Sequence, residues 1–178
     1  IVAPGLIGHR DKLLSDPAPN LEEARALLAE AGHPDGFSCT LDILNKTERL
    51  NAAQAVQANL ADIGIRVTIQ QHDSGTFWSL GDEKAGEGWK KVQLILGRFS
   101  MQPDPSWATE WFTPDQIGVW NWERFNSPEF GELHRKAKLE ADPDKRHEMY
   151  VRMQDIMEES AASEASLSSA KARSPSRS

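Results

Sequence analysis

Apolar residues recur at helical spacing from Leu21 through Ala24, Leu27, Leu28 and Ala31, after a capping Asn20 with Glu23 three positions on, and stop at Gly32. That pattern predicts an amphipathic helix. Beyond the turn signal His33-Pro34-Asp35-Gly36 the period changes to two: Phe37, Cys39, Leu41 and Ile43 alternate with Ser38, Thr40 and Asp42, as in a half-buried strand. Thr47 is the expected cap of a second helix, with Ala53, Val56, Leu60 and Ile63 on one stripe and Gly64 as its stop. Ile65, Val67 and Ile69 then alternate with Arg66, Thr68 and Gln70 as a second strand. Val92 to Gly97, apolar at nearly every position, reads as a third strand at the centre of the sheet. Strands separated by helices predict an α/β fold, a mixed and partly parallel sheet flanked by helices.

Ser127-Pro128 and Asp142-Pro143 are start signals for two further helices, one carrying Phe130, Leu133 and Ala137, the other Met149, Tyr150, Met153, Ile156 and Met157. The Met stripe reads as core, because Met fills irregular gaps. From Ala161 to Ser178 only Leu167 is large and apolar, so residues 161–178 are expected to be a flexible tail.

Composition narrows the function classes. The chain has 178 residues, enough for one domain, with 27 acidic against 20 basic side chains and a net charge of −7. Nucleic acid is excluded as an expected partner, because phosphate binding needs clustered Lys and Arg. The single Cys39 allows neither an intrachain disulfide nor a multi-cysteine metal site, and no apolar run approaches the ~20 residues of a bilayer span. The chain opens on Ile1 rather than Met, and its first residues lack the basic flank and length of a signal peptide, so an upstream segment is expected to have been removed.

Catalytic constellations are weak. The histidines His9, His33, His72, His134 and His147 show no metal-ligand spacing, and no cofactor is expected. His72-Asp73-Ser74 holds the residue types of a catalytic triad, but such partners normally come from different elements, and no nucleophile elbow is present. The glycines of Asp82 to Gly88 do not have phosphate-loop spacing. Asp104 and Glu110 are the candidates for paired glycosidase carboxylates, the alternative being that Asp104 starts a helix ahead of Ser106-Trp107-Ala108. Of thirteen aromatic residues, eight lie from Phe99 to Phe130. Such a cluster marks a core beneath a long loop or a binding surface. Trp120 and Trp122, alternating with Asn121 and Glu123, have the period of an extended segment with one aromatic face.

Three stretches, in order, resemble a known family. They are Asn20 to Gly32 followed by Pro34-Asp35-Gly36-Phe37; Ala58 to Val67; and Asn121-Trp122-Glu123-Arg124-Phe125-Asn126-Ser127-Pro128-Glu129-Phe130, continued by Asp142-Pro143-Asp144-Lys145-Arg146. Together they are similar to the extracellular solute-binding proteins of the peptide, nickel and related ABC importers, family 5. The resemblance implies that residues 1–160 are most of the C-terminal lobe of a type II periplasmic-binding-protein-like, two-lobed fold. Such a receptor closes on a peptide or other small solute and presents it to an ABC permease. It implies a periplasmic or extracellular location, no enzymatic activity, and a missing N-terminal lobe as partner.

Carried over position by position, the resemblance gives Ser74, Phe77, Arg98, Phe99 and Met101 as ligand-binding residues, with Trp107 and Trp120 as aromatic walls. Met101 stands where peptide-binding members have an aspartate for the peptide amine, and Ser74 where some carry a pocket tryptophan. Arg98, if it faces the cleft, favours a carboxylate or other anion. Besides the carbohydrate-active alternative, the Trp-rich stretch allows an autonomous interaction module, which would expose a contiguous aromatic patch.

Overall fold

A computed structural model of the chain describes residues 2–10, 20–98 and 102–172, with side chains of the last helix described through residue 160. Within the stretch 1–160, expected as one lobe, the described residues pack as two compact units, each with its own apolar cluster.

One unit holds the sheet. Helix α1 (Leu21–Glu30) starts where the capping residues predict: Asn20 Oδ1 accepts from Glu23 N at 3.1 Å, and Asn20 Nδ2 donates to Glu23 Oε2 at 3.0 Å. Its stripe buries less than the pattern implies, for Leu28 packs on the core while Leu21 and Leu27 are exposed. Strand β1 (Ser38–Leu44), helix α2 (Thr47–Ala61) and strand β2 (Arg66–His72) follow in the expected order. Helix α2 is capped from Lys46, without a side-chain bond, so Thr47 is its first helical residue and not the cap. Gly36 and Gly64, at φ of 75° and 85°, lie so close that a Cβ on Gly36 would overlap the Gly64 carbonyl; this approach brings the starts of β1 and β2 together.

The α/β class holds, with a parallel sheet of three strands among the described residues, ordered β2-β1-β3. The expected centre is corrected. Strand β3 (Leu94–Leu96) lies at the edge and β1 is central, with Leu41 to Leu44 opposite Ile69 to His72, and Leu41 to Ile43 opposite Leu94 to Leu96. The apolar run is longer than the strand because the Gln93 side chain takes the ladder's place: its Oε1 accepts from Thr40 N at 2.9 Å, so main-chain pairing begins at Leu94. Cys39, Leu41 and Ile43 pack with Ala53, Ile65 and Val67, sealed by Leu50, Val56, Leu60 and Ile63.

The segment after β2, for which the sequence pattern predicts no element, forms helix α3 (Ser74–Ser79), capped by Asp73, whose Oδ1 accepts from Thr76 N at 3.1 Å. Phe77 on its buried side sits beneath Gly97 and meets Trp78 edge-on at 5.1 Å.

The other unit gathers helices α4 (Ser106–Glu110), α5 (Pro128–Leu139) and α6 (Pro143–Ala172) around Phe130, Ala137, Tyr150, Met153 and Ile156. Ser127 Oγ accepts from Phe130 N at 3.2 Å with Pro128 in the first turn, and Asp142 Oδ1 accepts from Asp144 N at 3.0 Å, so both start signals are used. Helix α6 continues through residues 161–172, part of the segment expected as tail. The N-terminal stretch is tied to α6 by Gln154, which donates to Gly8 O at 2.8 Å, and by Arg10, which pairs with Asp155 and Glu158.

Ile43 is fully buried at the centre of the sheet and Leu139 is 87% exposed. In urea denaturation Ile43→Ala is expected to remove about 2–5 kcal/mol, and Leu139→Ala less than about 0.5 kcal/mol. Comparable losses in the two variants would contradict this placement of the core.

Candidate functional site

Because all three described strands run parallel, their carboxyl ends fall on one edge of the sheet. Open α/β sheets bind ligands at that edge. His72 is registered beside Leu44 and Leu96 beside Ile43, so Ser74 and Arg98, each two residues further on, both follow paired strand ends, together with Asn45 and Lys46 after β1. Ser74 and Arg98 are exposed, which leaves a hydroxyl and a guanidinium available to a solute.

A buried ionisable residue lies just behind this edge. Asp42, expected on the solvent side of β1, is 4% exposed, and its Oδ1 is 2.6 Å from His72 Nε2. A carboxylate in that position needs a partner, and the neighbouring strand supplies it. Phe77, expected against ligand, is buried in α3 with its ring beneath Gly97, where it supports the loop carrying Arg98. Phe99 and Met101 lie outside the described residues.

In the other unit the aromatic stretch builds a cavity of about 440 Å³, lined by Trp107, Glu110, Trp111, Gln116, Val119 and Trp120. Trp111 and Trp120 meet edge-to-face, with centroids 5.2 Å apart and planes at 82°. Trp120 and Trp122 lie nearly parallel at 6.4 Å and 22°, so they share a side as their spacing predicts, but on a turn and not on an extended strand. Asn121, fully buried, holds that turn: its Nδ2 donates to Thr113 O at 3.1 Å and Phe125 O at 2.8 Å, and its Oδ1 accepts from Phe125 N at 3.0 Å. Trp107 and Trp120 therefore come together on one cavity. Trp107 is 49% exposed, while Trp111, Trp120 and Trp122 are half-buried.

The carboxylates weighed for hydrolysis have other duties. Asp104 accepts from Ser106 N at 2.9 Å at the start of α4 and from Arg146 Nη2 at 2.7 Å, while Glu110 lies 3.7 Å from Lys138. Arg146 also donates to Ala137 O at 2.8 Å and to Tyr150 Oη at 3.2 Å, which joins α4, α5 and α6 through one guanidinium. His72, Asp73 and Ser74 likewise separate in role: the first bonds Asp42, the second caps α3, the third is exposed. Among the described residues no cluster of three or more His, Cys, Asp or Glu side chains could hold a metal ion, and no helix is long and apolar enough to cross a membrane.

Among the shifted titratable groups of this unit, Asp104 and His134 bear on how α4 is held. Burial opposes ionisation of Asp104, but hydrogen bonds from Arg146 and Ser106 outweigh it and hold the carboxyl below its ordinary value. Burial, aided by Lys138, pushes the His134 imidazole below its ordinary value; its Nδ1 lies 2.8 Å from Thr109 Oγ1 of α4.

Comparison with known proteins gives a consistent result. Residues 1–118 match the family described as bacterial extracellular solute-binding proteins, family 5 Middle. The chain is 31% identical over 152 residues to the glutathione-binding protein GsiB of Salmonella choleraesuis, covering 80% of this chain and 28% of that protein. It is 32% identical over 169 residues to di/tripeptide-binding protein 4 of Pseudomonas aeruginosa, covering 89% and 30%. Among solved structures, the periplasmic binding protein DppA of Helicobacter pylori in complex with the peptide STSA superposes with a TM-score of 0.70 at 26% identity, covering 88% of this chain and 31% of that one. The chain thus spans about three-tenths of the length of the relatives it matches.

Both pKa shifts stabilise the folded state at the higher pH. A group whose folded pKa is depressed contributes fully above its unfolded value, near 6.5 for His and about 4 for Asp, and loses that contribution as pH falls through the folded value. Thermal melts from pH 7 to pH 3 are expected to show two falls in Tm. His134→Gln should remove the earlier fall and Asp104→Asn should reduce the later, to which the depressed carboxyls of Asp73 and Glu132 also contribute; unchanged profiles in both variants would contradict the assignment.

Proposed function

The chain belongs to family 5 of the bacterial extracellular solute-binding proteins, and from that premise we propose that it is part of one lobe of a receptor that captures a small solute outside the cytoplasmic membrane for an ABC importer. The rest of the receptor supplies the second lobe. Solute favours closure only through the extra contacts that it makes in the closed state, and the closed form is what the permease receives. The protein acts by binding, without catalysis.

The observation that carries this reading is the strand-end edge, where a family member's parallel sheet presents exposed Ser74 and Arg98 together. Relatives named for glutathione and for di- and tripeptides make short peptides the first solute class to consider. The exposed guanidinium fits a carboxylate, through paired charge-assisted hydrogen bonds. Met101, in place of the aspartate of peptide-binding members, offers no charge to an amine, so recognition is weighted to the acidic end of the solute.

Calorimetry with glutathione, a dipeptide and a tripeptide tests this. The chain alone is expected to bind none of them tighter than about 1 mM, because half the contacts of a clamp are missing. The receptor containing it should bind at least one at micromolar level, and Arg98→Ala should weaken that binding about tenfold or more. Micromolar binding by the chain alone, or an Arg98→Ala receptor with undiminished affinity, would overturn the proposal.

A further inference from the structure

The cavity between α4 and the Trp120 turn is built like an aromatic corner. Trp111 and Trp120 stand at 82° to one another, so their rings form two perpendicular walls. Trp107, four residues before Trp111 and so on the same helical side, adds a third at the mouth. The polar groups on the lining are the Glu110 carboxylate and the Gln116 amide, and Val119 completes it.

These walls are fixed before any ligand arrives. Asn121 pins the turn carrying Trp120 with three hydrogen bonds, and α4 is held through Asp104 to Arg146 and through Thr109 to His134. A preformed site does not spend binding energy on ordering its own side chains.

We propose that this cavity binds an alkylated ammonium group, a cation whose charge is spread over methyl or methylene groups. Indole faces attract such a cation through their quadrupole, most strongly when it is withdrawn from water. The Glu110 carboxylate at the rim, 3.7 Å from Lys138, brings an anion to the site, and the chain's net charge of −7 favours a cation's approach. A primary ammonium fits less well, because apart from Glu110 and Gln116 the lining offers its N–H groups rings and Val119 where they need acceptors. At about 440 Å³ the aromatic cavity has room for a choline-sized molecule.

The proposal rests on Trp107, Trp111, Trp120 and Glu110 and not on Ser74 or Arg98, so either reading can fail without the other. Its test is a titration of the chain followed by tryptophan emission, with choline as probe and 3,3-dimethyl-1-butanol as its neutral counterpart of the same shape. Choline is expected to give a saturable change, and the neutral compound to bind about tenfold more weakly or worse. Trp107→Ala and Glu110→Gln alter side chains that are each 49% exposed, so circular dichroism should report an intact fold. Each is expected to weaken choline binding about fivefold. Equal binding of choline and the alcohol, no saturable response to choline, or full affinity in both folded variants would overturn the proposal.

Discussion

Parallel pairing on both sides of β1 is the constraint on which the candidate solute edge depends. With β2 and β3 running the same way as β1, the ends of all three strands fall on one side, and the residues that follow them have nowhere else to emerge. Antiparallel placement of β3 would carry Arg98 to the opposite end of the sheet from Ser74. The register is held by contacts elsewhere in the sheet. Gly36 and Gly64 bring the strand starts together, Gln93 replaces a stretch of ladder with its side chain, and Asp42 with His72 places a polar pair behind the edge.

A single cation organises the other unit in a comparable way. Arg146 meets Asp104, the Ala137 carbonyl and Tyr150, so three helices share one guanidinium whose planar fork suits several acceptors at once. Asp104, one of the carboxylates weighed for hydrolysis, is thereby a structural partner. What the arrangement supports is a set of indole walls at fixed angles. Both units thus put their buried polar bonds into positioning, while Ser74, Arg98 and Trp107 stay exposed.

Much of the fold was legible in the sequence, because it rests on local signals. Asn20 with Glu23, Ser127 with Pro128, and Asp142 with Pro143 mark helix starts through bonds spanning two or three residues, and the alternation in β1 and β2 follows from the pleat. What was not legible depended on distant partners. Asp42 looked solvent-facing because His72 lies 30 residues away, and β3 looked central because its apolar run does not reveal that, among the described residues, it pairs with β1 alone. Helix α3 was missed although Asp73 and Thr76 have capping spacing, since six residues carry too little periodicity to stand out. For the site, Ser74 and Arg98 were named through the family's register, and their common edge emerged only with the strand directions. Trp107 and Trp120 were named singly, and the corner they form with Trp111 needs the turn that Asn121 holds.

The proposed solute site is the carboxyl edge of the sheet. Amide chemical-shift mapping of the isolated chain, titrated with a short peptide bearing a free carboxylate, tests it directly even where binding is weak. The account predicts shifts concentrated at residues 45–46, 73–77 and 97–98. Shifts confined to the opposite strand ends, around Ser38 and Arg66, or their absence from the edge at saturating peptide, would contradict it.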